Sequence, residues 1–392
     1  MKISVLTHDL SHNCLGRAHL LAKILQRRHE VEIVGPIFGD EIWEPLADDE
    51  SVAYKFVKVS RGRFKTYRQI VELVKRTNGD VIYASKPLFS SYDAGLLKKW
   101  LSKRPLLLDI DDWQLGFLLN SHESARSAKG QSKVRLFRDS FESFLRWPDR
   151  SYWWTAFNEK LTRFANRITV SNTFLKEKFG GTIVWHARDT TFFDPDRFDE
   201  NSLREIYEIG KNDKTVMFCG TPRPHKGIED LITALKQTPK VLLIIIGISK
   251  EKYCQELVLR AKIELGNERI RTFEPQPFSR IPQFLAMSDI VVIPQRKGYE
   301  TIGQIPAKVF DAMAMAKPVI ATNVSDLPEI LSDSGWIVEP EEPDALAGAI
   351  QYVLAHPKEA KEKGQKARER CKAKYSYDAM EDVLCGLFKE YA

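Results

Sequence analysis

Six consecutive aliphatic residues, Val241 to Ile246, constrain this chain more than any other stretch. The run is too short to span a bilayer and has no polar face, so it suits a strand of a parallel sheet covered on both sides. Short apolar runs of the same kind recur at Ile3–Leu6, Val31–Val34, Asp80–Ala84, Leu106–Ile110 and Arg167–Val170. A second series follows at Val216–Cys219, Ile270–Phe273, Ile290–Ile293 and Pro318–Thr322. Segments of helical spacing separate them: Ile228, Leu231, Ile232 and Leu235 fall on one face of a helix. This alternation predicts an α/β fold of two Rossmann-like, doubly wound domains, and 392 residues are enough for two cores.

The turn-rich stretch His186–Asp199 reads as the linker, giving a first domain over 1–190 and a second over 191–376. Tyr377–Tyr391 is helical in pattern but has no strand after it to complete another unit. Ser171 is expected to cap the helix that runs to Phe179, and Gly180–Gly181 to stop it. At 43% hydrophobic and 29% charged the composition is globular. The five cysteines are scattered, with no CxxC pair, which argues against a disulfide framework and a zinc site and for a reducing compartment. The opening MKISVLTHDL shows neither a long apolar stretch nor a cleavage site, so a cytoplasmic protein is expected.

Two motifs carry the chemistry. The first runs from Phe218 through Gly220, Thr221, Pro222, Arg223, Pro224, His225 and Lys226 to Gly227, between a strand and a helix. Open α/β sheets bind ligands at the carboxyl ends of their strands, and a helix starting near Lys226 would offer amides to an anion. Arg223 and Lys226 add two full charges, unfavourable beside a helix start unless an anion sits there too. The second motif is Pro306-Ala307-Lys308-Val309-Phe310-Asp311-Ala312-Met313-Ala314, with Pro306 suited to the first turn of a helix. The amides that follow Pro306, from Ala307 and Lys308 onward, would face a second phosphate oxygen. Asp311 lies inside an apolar helix and needs a partner: either an internal ion pair, as with Lys308, or a pair of ligand hydroxyls such as those of ribose.

Together GTPRPHKGIEDLI, PAKVFDAMAMAKPVIAT and the linker RDTTFFDP resemble the retaining, GT-B-fold glycosyltransferases of family 4. The resemblance implies two domains facing across a cleft, with the final helix returning to the first domain. It implies that Arg223 and Lys226 bind the donor diphosphate and that Asp311 holds the ribose. The donor would be a UDP- or GDP-sugar, the acceptor a glycan or a lipid-linked hydroxyl, and no metal cofactor would be required. Two departures stand out. Gly303 occupies the position of the family's first glutamate, and Glu300, three residues earlier, is the nearest acid. Where the family often has a catalytic histidine, this chain reads Leu108-Asp109-Ile110-Asp111-Asp112-Trp113, which places Asp111 or Asp112 in that role.

Asp109-x-Asp111 also mimics a DxD metal motif, and His8, His12 and Cys14 imitate a metal cluster without a second ligand pair. Gly16 reads as the residue that lets the first loop approach the donor or acceptor closely. Two basic stretches, Lys55 to Arg76 and Lys129 to Phe157, the latter ending in tryptophans, describe a surface that can meet anionic lipid at the inner membrane face. They equally describe a solvated face over core aromatics, and no nucleic-acid motif accompanies them. A nucleotide-sugar epimerase and a non-catalytic nucleotide-sugar-binding relative are the rival readings. No GxGxxG follows the first strand, which disfavours a dehydrogenase.

Overall fold

Paired strands are parallel throughout both sheets of the computed structural model, which describes residues 1–59, 63–119 and 151–391. The first sheet contains β1 (Lys2–Leu6), β2 (Glu30–Ile37), β3 (Ala53–Lys58), β4 (Val81–Ser85), β5 (Leu106–Ile110), β6 (Arg167–Val170) and β7 (Thr182–Ile183). Their order is β3-β2-β1-β4-β5-β6-β7. The second sheet contains β8 (Lys214–Cys219), β9 (Val241–Ile246), β10 (Ile270–Phe273), β11 (Ile290–Ile293), β12 (Val319–Thr322) and β13 (Trp336–Val338). It runs β10-β9-β8-β11-β12-β13. Each sheet starts at its centre, winds outward, then reverses, so the switch points lie between β1 and β4 and between β8 and β11.

The predicted strands all form, within a residue or a few at their ends. Three others were not read from the sequence. In β3 the pattern Ala-Tyr-Lys-Phe-Val-Lys is only half buried, because β3 is an edge strand, and Lys55 and Lys58 lie on it. β7 and β13 are two and three residues long, too short to show a period. All six residues of β9 are buried, consistent with cover on both faces.

The chain divides into two compact units. The first comprises Met1–His186, Gly298–Ile305 and Met380–Ala392; the second comprises Ala187–Lys297 and Pro306–Ala379. The sequence placed the changes at 190/191 and 376/377, and gave no sign of the excursion at 298–305. Within the first unit that segment is held by the Trp113 amide, which donates to Gly303 O at 3.2 Å, and by an antiparallel bridge between Asp112 and Gln304. The tail is held by Arg27 and Arg28 on Glu381, by Arg167 on Glu390, and by Phe388, buried edge-on to Tyr83. In the second unit, Ile228, Leu231, Ile232 and Leu235 of helix Ile228–Leu235 are fully buried in one core with β8 and β9. Helix Thr173–Phe179 takes its cap from Asn172, whose side chain accepts the Leu175 amide, while Ser171 Oγ instead donates to Asp111 O. Gly180 closes that helix with φ 73°.

Candidate functional site

In the second unit, both motifs converge on the carboxyl end of β8, beside the switch point. Gly220 leaves the strand with φ 133°, and a Cβ placed there would lie 2.6 Å from Lys308 Cε. Lys308 therefore lies directly over the Gly220 backbone. Its ammonium makes no hydrogen bond or ion pair among the described residues. Lys226 reaches the same loop, donating to Thr221 O at 2.7 Å. The buried Cys219 thiol registers the cluster: burial pushes it up to about 12, against the pull of Lys308, Lys226 and Arg188 and with the push of Asp311.

The loop is set by glycine and by one arginine. Pro224–Lys226 forms a single 3-10 turn, and the helix begins at Ile228, two residues after Lys226. Gly227 bridges them at φ 65°, and a Cβ on it would lie 1.9 Å from Pro294 O. Only glycine fits. Arg296 pairs with both Asp230 oxygens at 2.7 Å, and its amide donates to His225 O, fixing the turn to the end of β11. Gly247, at the end of β9, lies back to back with Gly220 and Thr221. Arg223 points to the half-exposed Glu251, which takes both of its terminal nitrogens.

The second motif's helix is Lys308–Ala314, so Pro306 stands before it rather than in its first turn. Asp311 is buried and forms an ion pair, but with Arg188 and not with Lys308. Arg188 also donates to Ala307 O at 3.2 Å and to Ala187 O at 2.8 Å, tying the chain just after the first unit to this helix. Two buried opposite charges offset one another's desolvation only when held this closely. Lys308, on the same helix, lies over the Gly220 backbone instead, so the partner comes from Arg188, which spacing along the helix could not reveal.

In the first unit, the three aspartates at the end of β5 have separate fates. Asp109 is fully buried: Arg17 grips both its oxygens, at 2.8 and 2.9 Å, and Thr169 donates to it at 2.7 Å. Asp111 and Asp112 both pair with Lys86, at the end of β4. The DxD spacing thus puts its two acids on different cations. Burial raises Asp111 to about 6, against the pull of Lys86. Gly16 stands in the first turn of helix Leu15–Leu25, not in a loop, and a Cβ there would meet only Trp43 at ordinary distance. Glu300 is buried in the short helix Tyr299–Ile302. A Cβ on Gly303 would lie 2.4 Å from Trp113 Cβ, so Trp113 excludes a glutamate at that position. Among the described residues no group of three or more potential ligands is placed to hold a metal ion.

Sequence reasoning missed Arg17, Lys86, Arg188 and Arg296. Arg188 had a signal, since it lies in the RDTTFFDP segment; the others are single cations whose partners are remote in sequence.

Residues 199–370 match the family model for glycosyl transferases group 1. The chain is 30% identical over 223 residues to an alpha-maltose-1-phosphate synthase of Mycolicibacterium smegmatis, spanning 53% of this chain and 56% of that protein. It is 27% identical over 195 residues to an alpha-D-kanosaminyltransferase of Streptomyces kanamyceticus, spanning 48% of each. The chain thus spans about half the length of the curated relatives it matches. Over its whole length it has the fold of HepE from Anabaena, solved in complex with UDP and glucose, with a TM-score of 0.76 at 18% identity and complete coverage of both chains. WaaG, a glycosyltransferase involved in lipopolysaccharide biosynthesis, shares the fold with a TM-score of 0.64 at 14% identity, over 98% of this chain and all of that one. Both sheets therefore share the fold of these two solved structures.

Proposed function

We propose that this chain, whose second unit carries a glycosyl transferases group 1 domain, moves a sugar from a nucleoside-diphosphate sugar to a hydroxyl acceptor with retention at the sugar carbon. One observation carries the reading: Lys226 and Lys308, from motifs 82 residues apart, meet over the Gly220–Thr221 backbone at the carboxyl end of β8. The Lys308 ammonium, without an ion pair among the described residues, suits an anion, and a donor diphosphate supplies one. Arg223 lies in the same turn and would exchange Glu251 for a phosphate oxygen. Asp311, held in place by Arg188, would accept ribose hydroxyls.

The diphosphate leaves from the face on which the acceptor attacks, and the cations stabilise the charge that develops on it. In this reading they do so without a metal cofactor, and chelation with EDTA should leave turnover intact. Asp111 and Asp112 serve the acceptor. No covalent carboxylate is needed, which agrees with glycine at 303.

The acceptor is proposed to be lipid-linked, in cell-surface glycan or glycolipid synthesis, with the first unit resting on an anionic membrane. Arg61 and residues 129–147 lie outside the described residues, as do the side chains of Arg63 and Lys65. What supports the reading is a neighbouring helix, Ala94–Ser102, where Trp100 is 63% and Leu101 72% exposed beside Lys98, Lys99 and Lys103. Exposed tryptophan and leucine on a helix that also carries lysines suit a headgroup layer. Among the described residues no helix is long and apolar enough to cross a membrane.

A screen of UDP-, GDP- and dTDP-sugars by thermal shift and nucleoside-diphosphate release tests the central claim. One donor class should stabilise the protein and be consumed, and Lys226→Ala and Lys308→Ala should each reduce the shift. Binding without any release would favour a non-catalytic relative; no binding would sink the reading.

A further inference from the structure

Arg223 has a constrained backbone and a side chain free to swing. Pro222 and Pro224 flank it, and its backbone is extended, the region to which a following proline confines a residue. Its guanidinium reaches the start of helix Lys252–Leu265. There Glu251 Oε2 accepts from Nη1, and Glu251 Oε1 accepts from Nη2 at 3.0 Å.

Packing, and not this ion pair, places Glu251. The end of β9 lies against the motif loop: a Cβ on Gly247 would be 2.8 Å from the Gly220 carbonyl carbon and 2.9 Å from the Thr221 amide nitrogen. Beyond it, Ser249 Oγ donates to Cys254 Sγ at 3.3 Å. Cys254 is fully buried in one core with Ile228 and Leu231, and Tyr253 donates its hydroxyl proton to Glu229. The helix start is thus fixed against the motif turn whether or not Arg223 is paired. All of these residues belong to the second unit.

Three features set Glu251 apart from an ordinary surface acid. It meets the guanidinium fork with both oxygens, the geometry in which arginine also binds phosphate. Both side chains are partly exposed, so the pair can open without leaving a charge buried and unpaired. Glu251 also stands at the N-cap of its helix with an extended backbone, yet its side chain makes no capping hydrogen bond, and the first turn contains no acid. A carboxylate released at that point meets the positive end of the helix.

We infer that Glu251 is an internal mimic of a phosphate, which holds Arg223 in the donor-free protein and competes with the donor diphosphate for it. On exchange, Glu251 turns to cap its own helix. Only hydrogen bonds and ion pairs change partners, with no covalent step. Glu251 thereby lowers donor affinity without touching the donor. The inference rests on the diphosphate reading of the motif turn given above and adds the group that opposes binding there.

The test is a double-mutant cycle on the full chain: wild type, Glu251→Gln, Arg223→Ala and the double variant. Each is titrated with UDP, GDP and inorganic pyrophosphate, followed by phosphorus NMR of the ligand, which also reads weak binding. Glutamine keeps the shape of Glu251 and removes its charge. Glu251→Gln should bind the nucleotide that the wild type prefers about 2- to 5-fold more tightly, the size of a partly exposed ion pair. On the Arg223→Ala background the same substitution should leave affinity nearly where Arg223→Ala put it. An equal gain on both backgrounds would mean that Glu251 only repels phosphate through space, and would overturn the exchange. Weaker binding by Glu251→Gln would also overturn it, because Glu251 would then be steadying Arg223 for the donor. Pyrophosphate separates this inference from the reading beneath it. Coupling between the two residues on pyrophosphate, with neither nucleotide bound, would keep the exchange and sink the nucleotide-sugar donor. Nucleotide binding with no coupling would keep the donor and overturn the exchange, and a wild type that binds none of the three would overturn both.

Discussion

Replacing Gly227 with alanine should be among the most damaging single-methyl changes available to the second unit. Two separate effects add. The residue sits at φ 65°, a left-handed conformation that is roughly 1–2 kcal/mol worse for an L side chain. The new Cβ would also lie 1.9 Å from Pro294 O, a backbone atom at the end of β11 that cannot rotate away. Ordinary contact requires more than an ångström of relief, and overpacking of that kind costs about 1–3 kcal/mol. The sum is a loss of about 2–5 kcal/mol, read as a lower urea midpoint with an unchanged m-value. Asparagine tolerates a left-handed backbone but carries a Cβ, so Gly227→Asn should remain close to Gly227→Ala. If Gly227→Ala lost no more than the conformational cost alone, about 1–2 kcal/mol, or if asparagine rescued it, the close approach to Pro294 would not be what demands glycine, and the reasoning for the rigid phosphate-facing turn would be wrong.

Other outcomes follow from the same geometry. Arg223→Ala and Lys226→Ala should each lower turnover by roughly 10²–10³ and weaken UDP or GDP binding by about 1.5–3 kcal/mol; titration calorimetry with near-wild-type values for both would place the phosphate site elsewhere. Asp311→Asn should lower stability by about 3–5 kcal/mol, because it leaves the Arg188 guanidinium buried without a countercharge. If Asp311 also holds ribose, nucleotide affinity must fall in the fraction that stays folded; unchanged affinity there would confine Asp311 to the ion pair. Sedimentation with vesicles should rise with anionic lipid, fall with salt and drop for Trp100→Ser/Leu101→Ser, each lysine in such a face contributing about 1 kcal/mol. Equal indifference to neutral and anionic vesicles would favour a water-soluble acceptor.

The sequence by itself determined the two doubly wound sheets, because a strand buried on both faces must be apolar along its whole length, and Val241–Ile246 can be little else. It also determined where to look, since a glycine after a strand with cations beside it is a local signal, present at Gly220 through Lys226. Short or edge strands such as β3, β7 and β13 left too little periodicity to read. What only the tertiary structure decided is which charge meets which. Asp311 pairs with Arg188, 123 residues away, and not with Lys308 three residues away. Lys86 faces acids just beyond the end of β5, and Gly303 owes its lack of a side chain to Trp113. An ion pair or a steric limit depends on distance in space alone, and burial makes it strong by removing water. Neither leaves a trace in the spacing of residues along the chain.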